Sequence, residues 1–116
     1  MYSQDSQTLK KLGININNLS NQQIHDEIMH FIHMERSPYN NWYAGITSNP
    51  HTRLFQEHNV DLKESWWVIK KANSVDDAKI VIRALVDAYG IEGGNSAANE
   101  RSVYIYAFKK TRTTRQ

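Results

Sequence analysis

The sequence predicts an α+β domain, a small three-stranded sheet flanked by about three helices. Three observations carry that class. The chain has 116 residues, 40% of them hydrophobic, enough for one domain with one core. Three short stretches, WYAGIT, SWWVIKKA and SVYIYAF, are rich in aromatic and β-branched residues and have strand character. Stretches with helical periodicity and caps precede and separate them. The order is α-β-α-β-α-β, with no internal repeat.

Residues 1–18 are rich in Gln, Asn and Ser and read as a flexible arm. The domain proper spans 19–108. Ser20 and Gln23 have capping-box spacing, and Leu19 with Ile24 has the spacing of a hydrophobic staple. Ile24, Ile28, Phe31 and Ile32 then form one apolar stripe, and Pro38 with Asn40-Asn41 closes the helix. The strand at Trp42–Thr47 ends at Ser48-Asn49-Pro50. Asn49 is an N-cap with Pro50 at the first helical position, so a second helix should run to about His58 with Leu54 in the core. A strand at Ser65–Ala72 follows. Ser74, with Asp77 three residues on, caps a helix over 75–89 that is apolar around much of its girth and should be buried on more than one side. Gly90 is its stop. The segment IEGGNSAANER reads as a flexible loop centred on Gly93-Gly94, and Ser102–Phe108 is the strongest strand signal.

Composition excludes several classes. There is no cysteine, hence no disulfide or thiolate metal site. No apolar run approaches the roughly 20 residues that span a bilayer, and the polar first twenty residues contain no secretory h-region. The expectation is a soluble, cytoplasmic protein that does not enter membranes. Net charge is only +2, but residues 109–116 form a basic tail with Lys109, Lys110, Arg112 and Arg115 and no acid. That tail is either a solvated, disordered end or a phosphate contact.

Chemistry concentrates in Trp42–Asn59, WYAGITSNPHTRLFQEHN. A strand fixes the hydroxyl of Tyr43. Gly45 admits a close approach of backbone or substrate. Arg53 offers a planar fork to phosphate oxygens, and His58 can move protons near neutral pH. Each alone has a plain structural reading: a strand aromatic, a solvated arginine. The joint spacing is the signal.

Those residues resemble the second half of the GIY-YIG endonuclease motif. Tyr43-Ala44-Gly45 stands for YIG, and Thr47, Asn49-Pro50, Arg53 and His58 follow in the family's pattern. Trp66–Lys71 and Ser74–Ala78 resemble the next strand and helix start. No GIY-like strand precedes Tyr43. The candidate is C-terminal, Val103-Tyr104-Ile105, which implies a circularly permuted arrangement with WYAGIT and SVYIYAF paired in the sheet. The resemblance implies a DNA endonuclease in which Tyr43 and Tyr104 orient the water, Arg53 stabilises the pentavalent phosphate, and Mg2+ or Mn2+ neutralises the leaving oxygen. One departure stands out: the family's metal-binding glutamate position is occupied by Ile82, with Arg83 after it. Glu92 and Glu100 lie in the later loop. A non-cutting module that binds nucleic acid or a protein partner is therefore the alternative, and a purely structural interaction domain a third. Thr47, Lys70, Lys71, Lys109 and Lys110 complete the binding candidates beside Gly45.

Two further features have competing readings. His25, His30 and His33 share the first helix, either as a wet face or, for His30 and His33 with Glu27 on one face, as a metal site. Of Trp66-Trp67, strand alternation should bury one ring and expose the other for base stacking.

Overall fold

Ser20 starts the first helix, α1 (Asn21–Glu35), by a full capping box. Its hydroxyl accepts from the Gln23 amide at 3.1 Å, and the Gln23 side chain accepts from the Ser20 amide at 2.8 Å. Ile24, Ile28 and Ile32 are buried on one stripe, with Met29 added to it. Phe31 sits at the edge of that stripe, its ring against Trp42 and Trp66. The helix stops at Arg36 in left-handed backbone, two residues before Pro38.

The computed structural model describes residues 19–94 and 98–116, so the arm expected at 1–18 lies outside the described residues. Beyond α1 the elements are β1 (Trp42–Thr47), a π-helical segment (Thr52–Glu57), β2 (Trp67–Lys71), α2 (Val75–Tyr89), β3 (Glu92–Gly94) and β4 (Tyr104–Lys109). The α+β class holds, with four strands among the described residues instead of three. Their order is β2-β4-β1-β3. WYAGIT and the C-terminal strand pair antiparallel, with Gly45 opposite Tyr106 and Tyr43 opposite Phe108. The fourth strand, β3, lies in the segment read as a loop. It runs parallel to β1, with Ala44 opposite Gly93. Gly93 has φ +133°, and a Cβ there would stand 1.8 Å from the Ala44 carbonyl oxygen, so only glycine brings the chain this close to β1.

The period-two alternation of strands sorts the side chains onto two faces. Trp42, Ala44, Ile46, Val68, Ile105 and Ala107 meet α1 and α2 in the main core. Tyr106, Phe108 and Trp67 face the other way and are covered by Leu54 and Val60. α2 buries Ala78, Val81, Ile82 and Leu85 on one side only. Ile80 is 57% exposed, which corrects the expectation of burial on several sides: α2 lies on the outside of a single helical layer. Both sheet faces are covered, which also corrects the reading of the tryptophan pair. Trp67 is buried against the Phe55 ring and Trp66 is half-buried against Phe31, so neither ring stands free on an open face.

Candidate nucleic-acid interface

Asn49 caps the segment after β1 by accepting from the Thr52 amide at 3.2 Å, and Thr47 Oγ1 accepts from the Asn49 amide at 3.1 Å. The chain then turns more widely than the α-helix the sequence predicts. The His58 amide donates to the Arg53 carbonyl five residues back, at 2.9 Å. This widening has a consequence for chemistry. In an α-helix, side chains five residues apart diverge by about 140°; closing the turn on the fifth residue brings Arg53 and His58 toward one side. Asn59, in left-handed backbone at φ 57°, ends the segment.

His58 is 4% exposed and sits among the rings of Tyr43, Phe108 and Tyr106, with centroids 4.8, 4.9 and 5.4 Å away. Both ring nitrogens are used. Nδ1 lies 2.5 Å from the Arg115 carbonyl oxygen, and Nε2 lies 2.8 Å from the Tyr106 hydroxyl. A carbonyl can only accept, so Nδ1 carries the proton and Nε2 accepts from Tyr106. Burial lowers the pKa of His58, Arg53 adds to the lowering, and the Arg115 carbonyl opposes it. Burial also raises the pKa of Tyr43 and, more strongly, of Tyr106, against a smaller opposing influence of Arg53 on each. At neutral pH the cluster is therefore an uncharged imidazole, two neutral phenols and one guanidinium.

The Arg53 side chain is 26% exposed, although its Nε is buried, and Tyr43 is likewise partly exposed. Nε lies 3.0 Å from Glu57 Oε1, but its N–H points off that line and makes no hydrogen bond. Glu57 is itself 55% exposed, and such an i,i+4 pair contributes only about 0.3–0.5 kcal/mol.

Of the residues singled out in the sequence, Tyr43, Gly45, Arg53 and His58 come together. Tyr104 does not join them. It lies opposite Thr47 at the far end of β1, under the Lys71 ammonium 5.9 Å from its ring centroid. Tyr106 holds the position by His58 instead. Alternation puts residues 104 and 106 on one face, and the register alone decides which meets His58. Gly45 does admit a close approach, but by a side chain of the same protein: a Cβ there would stand 2.6 Å from the Tyr106 hydroxyl. The Thr47 hydroxyl serves the turn to Asn49, as described above.

The lysines proposed as phosphate contacts are largely engaged. Lys70 is 3% exposed on the helix-covered face and donates to Glu27 at 2.7 Å, so it cannot assist Arg53 across the sheet. Lys109 donates to Glu35 at 2.5 Å and Lys110 to Glu92 at 2.6 Å. Along α1, His33 bonds the Tyr39 hydroxyl at 2.6 Å and His25 bonds Asp26 at 3.1 Å.

A divalent ion requires hard oxygen ligands. The two carboxylates whose charge reaches the tyrosine cluster are Glu57 and Glu92. Arg53 accompanies the first and Lys110 holds the second, while both nitrogens of His58 are occupied. Glu100 lies on the exposed turn before β4. Ile82 is 1% exposed in the main core, on the opposite sheet face from His58. Among the described residues, no group of three or more His, Asp or Glu side chains is placed to hold a metal ion.

No protein-family model matches the chain, and no curated protein and no solved structure is similar to it at a significant level.

Proposed function

We propose that this chain is a GIY-YIG-like module that grips the phosphodiester backbone of nucleic acid, DNA foremost, at Arg53 and does not cut it. The observation that carries the reading is the guanidinium of Arg53, partly exposed at 26% beside an otherwise neutral cluster of Tyr43, His58 and Tyr106, with a buried Nε that has no hydrogen-bond partner and only the exposed Glu57 as its counter-charge. A phosphate oxygen pair offers that guanidinium a planar, bidentate partner that a single exposed carboxylate at Nε does not. The metal-assisted nuclease reading has less support, because each nearby carboxylate is accompanied by a basic side chain. No helix among the described residues is long and apolar enough to cross a membrane.

Fluorescence anisotropy with labelled single- and double-stranded DNA and RNA tests the proposal, in a salt series with and without Mg2+ or Mn2+. Because Lys70, Lys109 and Lys110 are paired with acids, the salt dependence should be shallower than the basic tail suggests. Arg53→Gln should lower the salt slope by about one, the loss of one phosphate contact. Absence of binding to every probe at low salt would sink the reading. Strand cleavage in the Mg2+ or Mn2+ arm that disappears in Arg53→Gln would replace it with the nuclease.

A further inference from the structure

The basic tail lies folded against the site. The Arg115 amide donates to the His58 carbonyl at 2.7 Å, and His58 Nδ1 donates back to the Arg115 carbonyl at 2.5 Å. Next to this reciprocal pair, Asn59 Nδ2 donates to the Thr113 carbonyl at 2.9 Å, which its left-handed backbone makes reachable. The Lys110 amide bonds the Asn41 carbonyl at 2.7 Å, and Thr111 and Thr114 close a turn between these anchors. The segment is thus tied at both ends, once to the start of β1 and once to the end of the π-helical segment.

We propose that residues 110–116 are a positioning strap: the main-chain carbonyl of Arg115 locks His58 in its Nδ1–H form, and this compels the Tyr106 hydroxyl to donate to His58 Nε2. An imidazole with no such partner favours the Nε2–H form. Two N–H and O–H donors facing across the 2.8 Å gap would clash, and Tyr106 would have to turn its proton elsewhere. With the strap in place all the donors run one way, from Tyr106 to His58 to Arg115. The lone pairs of the Tyr106 oxygen are left to accept, and the adjacent charge is the Arg53 guanidinium. The strap thereby orients the neighbour of the anion-facing arginine through two intervening groups, acting through its backbone and not through its basic side chains. The consequence for phosphate binding rests on the function proposed above; the tautomer does not.

The test is nitrogen NMR of the full chain labelled at histidine, which reads the His58 tautomer directly. Wild type should show His58 as the Nδ1–H form. Arg115→Gln keeps the main-chain clasp and should leave the tautomer unchanged. Arg115→Pro combined with Asn59→Ala removes two strap anchors, the amide donor to His58 and the side-chain donor to Thr113, and should shift His58 toward the Nε2–H form. Affinity for the DNA probe in that variant should fall about threefold to tenfold, the range of one net hydrogen bond. A wild-type His58 in the Nε2–H form overturns the proposal, as does a folded double variant that keeps the Nδ1–H form. If the double variant does not fold, Asn59→Ala alone is read, and an unchanged ratio of tautomers counts against the strap. A shifted tautomer in a chain that binds no nucleic acid would uphold the strap and sink only the proposed function.

Discussion

Gly45→Ala is the sharpest single perturbation of this architecture. The added Cβ would stand 2.6 Å from the Tyr106 hydroxyl oxygen and 2.8 Å from Cζ of the same ring, closer than real side chains tolerate. Tyr106 cannot easily yield. It is 1% exposed, its ring stacks with Phe108, and its hydroxyl is tied to His58 at 2.8 Å. Overpacking of a rigid core costs about 1–3 kcal/mol, and displacing the hydroxyl forfeits a hydrogen bond worth about 0.5–1.5 kcal/mol net. The expected destabilisation is therefore about 2–4 kcal/mol, read from urea unfolding with unchanged slope. A double-mutant cycle isolates the cause. In a Tyr106→Phe background the clashing oxygen and the His58 bond are already gone, so Gly45→Ala should cost about 1 kcal/mol less there. A cost below about 0.5 kcal/mol in wild type, the range of a neutral surface change, would refute the claim that Gly45 exists to seat Tyr106, as would equal costs in the two backgrounds.

Other outcomes follow from the same geometry. Glu27→Gln strands the buried Lys70 ammonium and should destabilise by about 2–3 kcal/mol, whereas Lys70→Met, which leaves a partly exposed carboxylate, should cost about 1 kcal/mol; chemical denaturation giving the reverse order would contradict the assignment of Lys70 to the core. Ile82→Glu should lose roughly 3–5 kcal/mol to an unpaired buried charge without gaining Mg2+ or Mn2+ affinity by calorimetry, since residue 82 lies across the sheet from His58. His58 has a depressed folded pKa against an ordinary value of 6.5, so the unfolded chain takes up this proton first as pH falls. Its contribution should be flat above about pH 7 and decline from about pH 6.5 downward, and His58→Gln should remove that part of the slope in a series of melts; an unaltered slope would show that His58 titrates normally.

Local chemistry made much of this protein legible in one dimension. The capping box at Ser20 and the bounds of α2 between Ser74 and Gly90 follow from propensities and caps acting within a few residues, whereas the pairing of WYAGIT with SVYIYAF is expected only from the permuted-motif resemblance. The gathering of Tyr43, Arg53 and His58 is also local, because strand, turn and helical segment adjoin in sequence. Three things did not follow. Strand alternation gives the face but not the register, so Tyr104 and Tyr106 were equivalent until β4 was seated on β1. The Gly93-Gly94 pair has the composition of a loop, and only the proximity of Ala44 makes it a strand. The fate of each lysine depended on which acid stood across from it. Glu27, Glu35 and Glu92 lie 43, 74 and 18 residues away from their partners, separations at which no periodicity carries information. The sequence alone determined where both α-helices and strands β1, β2 and β4 form, because capping and propensity are short-range. Tertiary structure decided which polar groups are free to meet a ligand, because pairing and burial depend on contacts between residues distant along the chain.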